Sequence, residues 1–354
     1  MQLLLSLALL LPAQDPAAPA TPAAFSVGQP APDLSIERWI VEPKPNKNSS
    51  SSSGTGKRGE ATFSGAAQRW SNWHEAKIVF HAPLAASLPV LAELADAGSD
   101  RALSLVGWTI ADDEAKAKEG LKRLGDGAWL GVPKSGSPLG PLAPELLVLG
   151  PNGELVWAGS AKDEKALLAA VDEALARPRA KPLGAPLAPE YATALADYWK
   201  GAWAKARAAA DKLVKKGGSD ALVADGKRIL AAVDEVERDL GTAAQEAAGK
   251  SQMHELVEIE WLLGTGIPGA TQKHVSEMVK EISAKSMQGG SADDARKWLE
   301  IAARRPLLFP VRDEPAGERF SKELEQFVKR SANVTGPQQR ALALLERWKQ
   351  RKSH

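Results

Sequence analysis

The sequence predicts an α/β domain followed by an all-α helical domain, and three observations carry that prediction. Between residues 77 and 176, short β-like apolar runs alternate with stretches whose apolar residues step at helical spacing. From residue 190 onward only the helical spacing recurs. Between the two lies 177–189, a segment with four prolines that reads as a linker. A chain of 354 residues is long enough for two such domains.

In chain order, the first feature is the apolar run from Leu3 to Leu11, which Pro12 ends. It is too short to cross ~30 Å of hydrocarbon as a helix, so it reads as the apolar core of a secretory signal. Residues 1–24 are therefore expected to be a signal peptide and an Ala/Pro-rich lead-in. The protein would be exported, periplasmic or secreted, with no integral membrane span in the mature chain. Within 43–59, Ser49 to Ser53 precede Gly54-Thr55-Gly56, and so polar a stretch cannot bury enough apolar surface to offset its ordering entropy. A disordered insert is expected there.

Strands follow at Ile78-Val79-Phe80 and from Leu103 to Trp108, with helical stretches around Val90 to Ala95 and Asp112 to Leu124. Leu146 to Leu149 and Leu155 to Ala158 flank Gly150-Pro151-Asn152-Gly153, and Asn-Gly between apolar runs is the strongest hairpin signal in the chain. Asp163 to Ala176 closes the domain as an amphipathic helix with Leu167, Leu168, Val171 and Leu175 on one face. Residues 25–176 thus read β-α-β-α-β-β-α.

In 190–354 the stripes are Trp199, Trp203, Ala206, Ala210 and Leu213; Leu222, Ile229, Val233, Val236 and Leu240; Leu256, Val257 and Trp261; and Val275, Met278, Val279 and Ile282. Each stripe is too narrow to be stable alone, so the helices must pack on one another. Two more helices are expected from Phe320 to Arg330 and from Pro337 to Arg351. The residues around Ala206 are similar to half of a tetratricopeptide-type repeat, and those around Ala295 echo them. The echo falls 89 residues later, which is no multiple of the ~34-residue period, so the domain is at most repeat-like.

Two segments give the first domain a family resemblance. The run from Ser26 to Leu34 (SVGQPAPDL) and that from Leu147 to Val156 (LVLGPNGELV) resemble the opening segment and the hairpin of the thioredoxin-like superfamily, in its exported bacterial thiol-disulfide oxidoreductase branch. The resemblance covers 26–176 and implies a thioredoxin-like fold. It also implies a cis-proline at Pro144, beside the active site, that helps bind extended peptide. The family's W-C-x-P-C stretch aligns with Phe80-His81-Ala82-Pro83-Leu84, or its C-x-x-C with Ala85-Ala86-Ser87-Leu88; neither register contains a thiol.

That departure decides the chemistry expected. The chain has no cysteine, and disulfide exchange needs a thiolate nucleophile and a second thiol to resolve the mixed disulfide. What the resemblance leaves is a peptide-binding cleft, with Phe80, His81, Ala82, Pro83 and Ser87 on one side and Ala143 and Pro144 on the other. A hydrolase built on His81 and Ser87 would need an orienting carboxylate and an oxyanion hole, and the sequence offers no third member. His74, beside Trp70 and Trp73, belongs to packing or to a binding surface.

His254 and Glu258 stand at i and i+4 but lack the second His of H-E-x-x-H, so no metal is expected. In Gly264-Thr265-Gly266-Ile267-Pro268-Gly269, Pro268 removes a donor and no Lys-Ser/Thr pair follows, so no phosphate loop and no cofactor is expected. Lys and Arg total 45 against 44 Asp and Glu, which argues against a nucleic-acid partner held by phosphate neutralisation. The expected function is that of an exported, redox-inactive thioredoxin-like protein acting as a protein- or peptide-binding or scaffold module. Enzyme action from a non-thiol centre near His81, and a structural role in the envelope, are the alternatives.

Overall fold

Strand β2 (Ala76–His81) organises the first region because it is buried toward both faces and has a partner on each side. The structure, a computed structural model, describes residues 26–31, 36–41 and, outside 83–87, 99–100, 102, 111–112, 123, 125–127, 134–143, 161, 179, 182, 184–185, 286–290, 313 and 331–335, residues 76–352. The expected signal peptide, the 43–59 insert, His74, Pro83, Ser87 and Ala143, and with Ala143 the Ala143–Pro144 bond, lie outside the described residues.

Six strands form one sheet in the order β1-β4-β3-β2-β5-β6. Strand β2 runs parallel to β3 (Leu103–Trp108), and β3 parallel to β4 (Ala128–Pro133). On the other side, β5 (Leu146–Leu149) is antiparallel to β2 and β6 (Leu155–Gly159) antiparallel to β5. At the far edge β1 (Ile36–Val41) is antiparallel to β4.

Strands β1 and β4 are absent from the sequence reading, for physical reasons. The β1–β4 register shifts twice within six residues, which scrambles a period of two. Strand β4 is interrupted by Gly131, where a Cβ would come within 2.7 Å of Ile36, so the glycine admits the crossing strand.

Alternation splits the sheet into two faces. Ile78, Phe80, Leu105, Leu130, Leu146 and Val148 join one core cluster with α1 (Pro89–Ala97), α2 (Glu114–Lys122) and α3 (Glu164–Ala176). Val79, Val106, Trp108, Leu147, Leu149 and Leu155 form a second cluster on the opposite face, to which none of these helices contributes a residue. Pro89 starts α1 without wasting a donor, and the Asp163 carboxylate caps α3 by accepting from the Ala166 N–H at 3.0 Å.

The mostly helical second region contains α4 (Ala192–Trp199), α5 (Trp203–Lys216), α6 (Asp220–Gly249), α7 (Met253–Gly266), α8 (Ala270–Lys285), α9 (Ser291–Ala302), α10 (Pro315–Arg330) and α11 (Gly336–Lys352). Its apolar residues fall into three clusters in series. Helices α4 to α6 build the first, α6 to α9 the second, and α9 to α11 the third. Gly217, at φ +77°, ends α5, and the Ser219 hydroxyl accepts from the Leu222 N–H to start the 30-residue α6. Trp199 and Trp203 are buried as their spacing predicts, and Trp298 and Trp348 are buried as well. Trp261 is not: at 53 % exposed it leaves the stripe of Leu256 and Val257, because α7 buries Ile259 and Leu263 instead.

The reading of 177–189 as a loosely tied linker needs correction. Ala180, Leu183 and Leu187 are buried in the first helical cluster. Its backbone is held as well: Asn152 donates to the Pro178 carbonyl and accepts from the Ala180 N–H, Tyr198 donates to the Lys181 carbonyl, and Arg228 to that of Leu183. The described residues of the segment therefore form a packed strap.

Candidate functional site

The cleft expected from the sequence centres on the C-terminal end of β2. His81 ends the strand and pairs with Trp108 in the parallel register; its N–H donates to the Glu145 carbonyl at 3.2 Å, which seats Pro144 beside the strand end. Being one residue past Phe80, the His81 side chain turns to the opposite face, where its ring lies 4.5 Å from that of Trp108. Partial burial holds its pKa below 6.5, against the pull of Asp113. The imidazole is therefore neutral at pH 7, able to donate one hydrogen bond and accept one.

Pro144 is half-buried, the Ser160 hydroxyl donates to the Glu145 carboxylate at 2.7 Å, and Ile110, two residues beyond β3, is 47 % exposed. Phe80 and Ala82 do not face this space. Both are fully buried in the helix-side core, Ala82 against Gly107, whose Cβ would come within 3.1 Å of it. They fix the strand end, and of the described cleft residues His81 and Pro144 are the ones not fully buried. The sequence missed Ile110, whose exposure follows from its place just beyond β3.

The other chemistry-bearing residues do not gather here. His254 sits in the helical region, 3.0 Å from Arg340, with its pKa pushed down to about 4 by burial and by that guanidinium. His274 lies beside a groove of about 600 Å³ between α6 and α8, lined also by Asp234, Arg238 and Thr271. Among the described residues no group of three or more His, Asp or Glu is placed to hold a metal ion, and no helix is long and apolar enough to cross a membrane.

A second polar constellation was not legible in the sequence. Glu154, directly after the Asn152-Gly153 turn, is fully buried; its carboxylate accepts from Arg177 at 3.1 Å and from the Asn152 N–H at 3.1 Å. Burial pushes its pKa up against the attraction of Arg177. Gly150 is obligatory beside it, since a Cβ there would run into the carboxylate. The same turn binds the opening segment, with Gly28 donating to the Leu155 carbonyl and Leu155 to that of Gln29. Gln29 then pairs with the Leu187 backbone, and Trp199 donates to the Gly28 carbonyl at 2.7 Å. This constellation joins the two regions.

No family model matches the chain, and neither the curated proteins nor the solved structures hold a match to it.

Proposed function

We propose that the chain is an exported, redox-inactive protein with a thioredoxin-like first domain, which binds an extended protein or peptide segment at the His81–Pro144 end of its sheet. The observation that carries the reading is the join between β2 and β5: a half-buried proline and a histidine whose ring lies against Trp108 meet at the end of the central strand. In open sheets, ligands sit beyond the carboxyl ends of the parallel strands, which is this end. The order β3-β2-β5-β6, with a helix after β2 and another after β6, supports the thioredoxin-like assignment that the two sequence segments suggest. An extended segment suits the site because its ligand-facing groups are apolar or neutral hydrogen-bonding ones.

The absence of cysteine makes binding, not turnover, the output. The test is capture from a library of extended peptides by the intact chain and by His81→Ala and Pro144→Ala, with an insulin-reduction assay alongside. Peptides should be retained by the wild type and lost by both variants, with no reductase activity above the buffer blank. Equal retention by all three proteins, or thiol-dependent turnover, would overturn the reading.

A further inference from the structure

Among the described residues, the helical region touches the α/β region in two places that differ in kind. At the 150–154 turn and the opening segment the contact is buried and largely backbone: beside the Glu154–Arg177 pair, 0 % and 7 % exposed, Asn152 holds the backbone of Pro178 and Ala180, Gln29 that of Leu187, and Trp199 donates to the Gly28 carbonyl. The second contact lies along the outer surfaces of α1 and α3, where the 303–314 connection between α9 and α10 crosses them. Leu308 is its one fully inserted apolar side chain, flanked by half-buried Leu307 and Val311.

The remainder of that second contact is arginine chemistry. Arg312 spans two helices, reaching Glu93 of α1 at 2.5 Å and Glu164 of α3 at 2.9 Å. Arg101 donates to the carbonyls of Arg305 and Pro306, and Arg305 to that of Ala97. From α11, Arg347 and Arg351 both reach the Asp96 carboxylate. The side chains of these ion pairs are 29 to 53 % exposed.

Solvent-exposed pairs are screened by salt, whereas a buried pair is not. The helical clusters stand in series, so the α10–α11 end can move as a unit about α9 without dissolving the clusters before it. We propose that the helical region is a clamp on the α/β region, with a permanent anchor at the 150–154 turn and a salt-releasable latch at 303–312. Release would swing the α10–α11 end away and uncover the Glu93 and Asp96 side of α1. This conformational device is independent of the binding role proposed above.

The test is amide hydrogen exchange and small-angle scattering on the intact chain at low salt, at about 1 M NaCl, and for Arg312→Ala at low salt, with Arg38→Ala as an ion-pair control away from the latch. High salt and Arg312→Ala should each speed exchange about tenfold in the second half of α1 and in 303–311, and enlarge the radius of gyration. Exchange at 152–155 and in α6 should stay as in the wild type, and Arg38→Ala should change nothing. Unaltered exchange in α1 under both conditions would overturn the latch. Acceleration spread evenly over the chain would overturn it too, since that is unfolding and not a hinge.

Discussion

The α/β region gathers its core from afar, whereas the helical region builds its core from neighbours. One cluster under the sheet combines residues from Ala76 to Ala174 and even takes Leu308 from the far end of the chain. Each helical cluster instead draws on helices adjacent in sequence, and among the described residues α6 and α9 serve two of them. The difference teaches where cooperativity should end. A defect under the sheet has no boundary to stop at, but a defect in one helical cluster meets a seam.

The sharpest way to break this contrast is a matched pair of truncations. Phe80→Ala removes a fully buried ring from the sheet core and should cost about 3–5 kcal/mol, with all six strands losing exchange protection together. Trp348→Ala should cost a similar amount within its own cluster, roughly 3–5 kcal/mol, but loss of protection should stay within α9 to α11. If Trp348→Ala unfolds the sheet in the same transition, the helical region is not built in separable steps.

A smaller effect tests the seam between the second and third clusters, where His254 of α7 meets Arg340 of α11. The folded-state pKa of about 4 lies below the ordinary 6.5, so the unfolded chain takes up a proton first as pH falls. The contribution is intact above 6.5 and is lost as pH drops toward 4, by roughly 2 kcal/mol after allowing for partial exposure. Urea titrations at pH 7 and pH 4.5 should show this loss in the wild type and a shallower one in His254→Gln. Parallel pH profiles for the two proteins would place the histidine outside the stability balance.

The smallest effect should come from Trp261→Ala. As an exposed side chain it should change stability by no more than about 0.5 kcal/mol, measured by the same urea titration. A loss of several kcal/mol would return it to the apolar stripe that its spacing suggested.

The same contrast explains what could be read in advance. The β5–β6 hairpin was legible because Asn152-Gly153 sets the turn locally, and α3 because its cap and apolar face lie in one stretch. Strands β1 and β4 were not, since β1 is held by an irregular pairing with a partner 89 or more residues away and Gly131 interrupts the apolar pattern of β4. Within the candidate site, the His81 N–H donates to the carbonyl of Glu145, the residue after Pro144, across the strand end. Phe80 and Ala82 were misplaced because alternation along β2 sends Phe80 to the helix side, and Gly107 admits Ala82 into the core.

By itself the sequence determined the division into an α/β and a helical region, the hairpin, most helix positions and, through the lack of cysteine, the exclusion of thiol chemistry. These follow from local spacing or from composition, which need no partner to be read. Only the tertiary structure decided that Glu154 would be buried against Arg177, that the proline-rich segment would become a strap, and that arginines from the 303–314 connection and α11 would close on α1 and α3. A carboxylate, a proline or an arginine reads the same in water as in a core. Its role is set by the low dielectric and the partners that folding brings to it from far along the chain.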